Sequence, residues 1–162
     1  MAGKPKLIIC TDGGAKGNPG PAACAAVIKA ADDEQTVLER GRYLGHATNN
    51  VAEYQAVLLG LELALELGAG EVEIRSDSEL MVRQLIGAYK VKNETLRGLY
   101  DQVKAALKSF DAVKIRHVRR ELNNEADSLV NKTIAQHRHG SPKAPGGEKR
   151  PPAGQGGAFR LK

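Results

Sequence analysis

The chain has no tryptophan, only two cysteines and no long apolar run, and each shortage closes off a class of protein. A membrane-spanning helix needs about 20 consecutive apolar residues, and no stretch approaches that. The opening Met1-Ala2-Gly3-Lys4-Pro5-Lys6 is followed only by Leu7-Ile8-Ile9-Cys10 before polar residues resume. That core is too short for a signal peptide, so the sequence predicts a cytoplasmic protein with no membrane partner. Cys10 and Cys24 lie on neighbouring predicted strands without a metal-type spacing. They read as small buried thiols in a reducing compartment, with a disulfide as the open alternative. What remains is ordinary for a globular chain: 162 residues, 41% hydrophobic and 27% charged, enough for one domain with a sizeable core.

The net charge of +5 is unevenly placed. From His137 onward there are six Lys/Arg and one Glu, whereas residues 1–136 hold eighteen of each sign. The expected division is a formally neutral body over 1–137 and a flexible Gly/Pro-rich basic tail over 138–162. The tail has few large apolar residues with which to offset its ordering entropy. A basic arm favours polyanions through counterion release; a solvated tail that aids solubility is the bland alternative.

Apolar and β-branched runs predict strands over 6–11, 22–29 and 36–44, the first two separated by a glycine-dense segment with the turn signal Asn18-Pro19-Gly20-Pro21. A helix follows over 49–67, with Val51, Tyr54, Leu58, Leu61 and Leu65 at helical spacing and Gly68 as its stop. A strand over 71–75, helices over 78–86 and 95–109, a strand over 112–118 and a last helix over 123–137 complete the pattern. The order predicts an α/β fold: a five-stranded mixed sheet, three antiparallel strands then two parallel additions, flanked by helices.

Four acidic residues stand at the edges of different predicted elements: Asp12, Glu53, Asp77 and Asp127. Singly, each has a plain explanation as a turn former or a helix N-terminal acid. Convergence of all four would need a cation to offset their repulsion, and hard divalent cations take oxygen ligands beside phosphate.

The flanking residues add a resemblance. Thr11-Asp12-Gly13-Gly14-Ala15 with Gly17-Asn18-Pro19-Gly20, then Thr48-Asn49-Asn50 with Glu53, then Ser76-Asp77-Ser78, then Asn123-Asn124-Glu125-Ala126-Asp127 resemble, in order and spacing, the motifs of type 1 ribonuclease H over about residues 6–136. The resemblance implies an endonuclease that cleaves the RNA strand of an RNA–DNA hybrid to 3′-hydroxyl and 5′-phosphate ends. It implies that Asp12, Glu53, Asp77 and Asp127 hold two Mg²⁺ ions, or Mn²⁺, with Asp12 shared between them, for in-line attack by water. It also implies that Asn18, Asn49 and Asn50 face the minor groove and that Thr48 and Asn93 grip a DNA-strand phosphate. A monomer is the expected state.

Two departures from that pattern stand out. The loop before the last acid, Arg119-Arg120-Glu121-Leu122-Asn123-Asn124, has no histidine, and Glu121 or Arg119 are the candidates to replace part of its role. His117, on the preceding strand, reads as structural. The basic helix that many members insert is also missing, leaving Tyr89, Lys90 and Lys92 as local remnants. A nuclease that also cuts double-stranded RNA, and a catalytically silent hybrid-binding module, are the alternative readings; a structural domain tethered by the tail leaves the four motifs unexplained.

Overall fold

The computed structural model of the protein describes residues 3–138. Among the described residues five strands and four α-helices follow one another: β1 (Lys6–Ala15), β2 (Gly20–Ala30), β3 (Thr36–Ala47), α1 (Asn49–Glu66), β4 (Glu71–Ser76), α2 (Glu79–Leu85), α3 (Glu94–Leu107), β5 (Ala112–His117) and α4 (Asn124–Arg138). The sheet order is β3-β2-β1-β4-β5. β1 pairs antiparallel with β2 and β2 with β3, while β4 and β5 join in parallel. The expected meander with two parallel additions is therefore present, and the tail beyond Arg138 lies outside the described residues.

The sheet is sandwiched, and the composition of β2 makes that possible. Cys24, Ala26 and Ile28 face the main core built with α1, whereas Ala23 and Ala25 face Val130 and Ile134 of α4. Alanines on both faces let two helices approach one strand closely. Glycines do the same elsewhere: a Cβ on Gly41 would meet Thr133 Oγ1 of α4 at 2.1 Å, and one on Gly60 of α1 would meet Ile9 at 2.3 Å. Cys10 packs with Ile8, Val27 and Ala126, on the face opposite Cys24. Both thiols are free and buried, so the disulfide alternative falls: on neighbouring strands they point to opposite sides.

α1 is the buried spine. Thr48 caps it by accepting a hydrogen bond from Val51 N–H at 3.2 Å. Beyond the cap residue Leu67, Gly68 turns the chain with φ +76°, a conformation glycine adopts without penalty. Its apolar face is wider than the sequence spacing suggests. Val57, Leu59 and Leu63 are fully buried, while Leu65 is 45% exposed. The reason is tertiary: the sheet covers one side of α1 and α3 packs on another, so little of the helix faces water.

β1 and β2 also run further into the glycine-rich segment than its turn signals imply. Gly13, Gly14 and Ala15 remain paired with Cys24, Ala23 and Ala22, because the antiparallel ladder satisfies their backbone groups. Asp12 consequently lies inside β1 rather than at its end.

Candidate active site

Asp12, Glu53 and Asp77 each offer a carboxylate oxygen, and the three atoms lie within 4.8 Å of one another. The topology explains the meeting. β1 and β4 are parallel neighbours whose pairing ends at Thr11 beside Ser76, so Asp12 and Asp77 follow side by side where β4 stops while β1 continues. Glu53 arrives from the first turns of α1, which pack so tightly on β1 that a Cβ on Gly13 would fall 2.2 Å from the Ala52 carbonyl carbon. The Gly13 backbone draws the Glu53 carboxyl downward, against the larger effect of burial. Asp127, in the first turn of α4, comes from the other face of the sheet and stands within hydrogen-bonding reach of Asp12. All four acids expected from the sequence are thus brought to one place, three in a tight group and Asp127 against Asp12.

The environment resists charge on these groups. Burial, then Asp77 and Asp127, pushes the Asp12 carboxyl up to about 7. Burial, followed by Asp12 and Asp77, pushes Glu53 to about 9. Glu53 Oε1 and Asp77 Oδ2 are sealed from solvent without a hydrogen-bond donor. Oxygens in that condition are expensive to bury, and a bound cation is one thing that would offset the cost.

The asparagines form a second group with a consistent polarity. Asn18 Oδ1 accepts the Asn49 N–H at 2.9 Å, and Asn49 Oδ1 accepts the Ala15 N–H at 2.8 Å. Asn93, the N-cap of α3, uses its Oδ1 for the Leu96 N–H at 3.0 Å. Each carboxamide therefore has its acceptor end tied to backbone, leaving its NH₂ donor end for a ligand. Asn50 is exposed beside them on α1.

The chain is similar to proteins of known family. Residues 10–133 fit the family described as "Reverse transcriptase-like". The solved structure of LC11-RNase H1 in complex with an RNA/DNA hybrid is 42% identical, covers 82% of this chain and 99% of that one, and superposes with a TM-score of 0.78. The chain belongs to the type 1 ribonuclease H family. Its relatives include the bifunctional protein Rv2228c of Mycobacterium tuberculosis, 43% identical over 78% of this chain and 35% of the relative. Another is ribonuclease HI of Halobacterium salinarum, 41% identical over 76% of this chain and 61% of the relative. The chain thus spans about a third of the mycobacterial protein it matches.

Within this family fold the chain has three site features that its motifs do not signal. Arg119 and Glu121, the residues expected to assist the acids, are both exposed. The neighbour between them, Arg120, is the one that reaches the cluster: its Nε lies 3.7 Å from Asp77 Oδ2 while its side chain stays 78% exposed. Its charge pulls the Asp12 and Glu53 carboxyls downward, against the larger effect of burial. Arg120 opens the helical turn Arg120–Leu122, and the sequence holds no sign of which of the three consecutive residues reaches Asp77. The second feature is Gly13, legible only as part of a turn until its contact with α1 is seen. The third is Asn123, quoted in the motif but given no role. Residues 86–93 alone join α2 to α3, so the inserted basic helix is absent as expected. Tyr89 is exposed there with the Arg83 guanidinium 5.7 Å from its ring centre, and Lys90 and Lys92 are exposed as well.

Proposed function

We propose that this protein is a divalent-metal-dependent endoribonuclease that hydrolyses the RNA strand of RNA–DNA hybrids, leaving 3′-hydroxyl and 5′-phosphate ends. The observation that carries the reading is the meeting of Asp12, Glu53 and Asp77 within 4.8 Å, with buried carboxylate oxygens of Glu53 and Asp77 that have no donor. Such a donor set, all hard oxygen, suits Mg²⁺ or Mn²⁺. Asp12, Glu53, Asp77 and Asp127 would hold the ions, Asp12 being central because it faces the other three. When bound, a pair of ions supplies a nucleophilic water at neutral pH and stabilises the departing oxygen.

The remaining residues bind and orient. The NH₂ groups of Asn18 and Asn49, and Asn50 beside them, would meet acceptors in the minor groove and RNA 2′-hydroxyls. Asn93, with its amide oxygen already used as a cap, would donate to a phosphate of the DNA strand, as would the Thr48 hydroxyl. Arg120 is placed to contact a phosphate oxygen once a cation has taken over the neutralisation of Asp77. A silent binding module would gain nothing from clustered negative charge facing phosphates. The hybrid-bound family member supports the substrate assignment.

The test is cleavage of end-labelled RNA–DNA hybrid, double-stranded RNA and single-stranded RNA side by side, with Mg²⁺, Mn²⁺ or EDTA. Metal-dependent cutting confined to the hybrid is the expected result. Comparable cutting of double-stranded RNA would widen the substrate class, and binding of hybrid without cleavage in any metal would sink the enzymatic reading.

A further inference from the structure

Asn123 ties together two of the elements that carry the acids. It lies just before α4 and is 2% exposed. Its Nδ2 donates to the carbonyl of Thr11 at 2.8 Å, and Thr11 is the residue before Asp12 in β1. Its own backbone carbonyl accepts the Asp127 N–H at 3.1 Å. One residue therefore grips the backbone beside Asp12 and the backbone of Asp127.

The orientation of this amide is forced, because only its nitrogen can donate to a carbonyl. Oδ1 is left buried without a hydrogen-bond partner. A buried oxygen lacking a donor costs stability, and an apolar side chain of similar volume would avoid that cost only by taking the donor from the buried Thr11 carbonyl. What the asparagine supplies here is the tie to β1. The tie also runs to a rigid point: Thr11 is fully buried in the centre of the sheet, flanked by Ala26 of β2 and Ser76 of β4. At the same end of α4, Glu125 holds Lys29 of β2 and Thr36 of β3. Those bonds secure the helix laterally, while Asn123 sets its distance from β1.

We propose that Asn123 is a positioning residue that fixes Asp127 relative to Asp12, and so the shape of the carboxylate cage, without itself touching a ligand. The proposal rests on the metal-binding reading above. It is tested with Asn123→Ala and Asn123→Leu in the full chain, beside a core control, Val103→Ala, which removes fully buried volume from α3. Mn²⁺ binding is followed by calorimetry on substrate-free protein, together with melting temperature and the kcat and KM for hybrid.

Both Asn123 variants should bind Mn²⁺ about tenfold more weakly, the usual scale for loss of an outer-shell support. Their kcat should fall with KM for hybrid within about twofold of wild type. Val103→Ala should melt earlier yet bind the ion normally. If Asn123→Ala does not fold, Asn123→Leu, which keeps the volume, carries the comparison. Unaltered Mn²⁺ binding in the Asn123 variants overturns the positioning role alone, as does an equal loss in Val103→Ala. Failure of wild type to take up any divalent cation overturns the metal reading with it.

Discussion

The Asp12 carboxyl is pushed up to about 7 by burial, then by Asp77 and Asp127. Glu53 is pushed further, to about 9. Both folded values lie above the ordinary 3.8 and 4.5, so the folded chain binds protons more tightly than the unfolded one. Their stabilising contribution is complete below about pH 4 and is lost as pH rises through 7 for Asp12 and 9 for Glu53. The melting temperature of metal-free protein should accordingly fall between pH 5 and pH 9, and added Mg²⁺ should restore most at the alkaline end. A scan of melting temperature against pH with and without the ion checks this. Asp12→Asn removes one charge from the cluster. In metal-free buffer at pH 8 it should gain about 1–2 kcal/mol, on the order of 5 °C, while cleavage of hybrid disappears. Near-normal turnover in that variant would remove Asp12 from the mechanism.

At the scale of elements, the approach of α1 to β1 is the decisive contact. Gly13 and Gly14 are adjacent in β1, yet a Cβ on Gly13 would sit 2.2 Å from the Ala52 backbone whereas one on Gly14 finds its nearest atom at 3.8 Å. Gly13→Ala must therefore lift the first turns of α1, carrying Glu53 away from Asp12. It should cost about 1–3 kcal/mol, as overpacking does, and lower kcat by at least about tenfold. Gly14→Ala should be close to wild type in both. Parallel denaturation curves and hybrid-cleavage assays distinguish the two, and equal effects would contradict the packing argument. Other ties hold the same assembly: the buried Tyr54 hydroxyl donates to Gln84 Oε1 at 2.7 Å and joins α1 to α2.

Across the whole molecule, residues 1–136 are formally neutral and the excess of positive charge lies beyond them. The site itself is acidic, and the short linker over 86–93 supplies few cations. We propose that the segment 138–162 acts as a basic arm for the polyanionic substrate, through Lys143, Lys149, Arg150, Arg160 and Lys162. Deleting residues 140–162 should raise KM for hybrid several-fold at low salt and flatten its salt dependence, with the metal requirement unchanged. An unaltered KM at low salt would count against the arm.

Order and type of the elements were legible in the sequence because strand and helix periodicities, caps and glycine stops are local signals. The four acids were legible because each sits in a distinctive run of residues. What local signals cannot carry is the space between elements. That β1 continues through Gly13 to Ala15, that α1 is buried on most of its surface, and that Cys10 and Cys24 face apart depend on sheet pairing and layering. The approach of Arg120, rather than Arg119 or Glu121, to Asp77 and the grip of Asn123 on Thr11 are contacts between residues far apart in the chain. Sequence alone determined which groups are available for chemistry. The tertiary structure decided which of them meet, because distances between elements are set by the packing of both faces of the sheet at once.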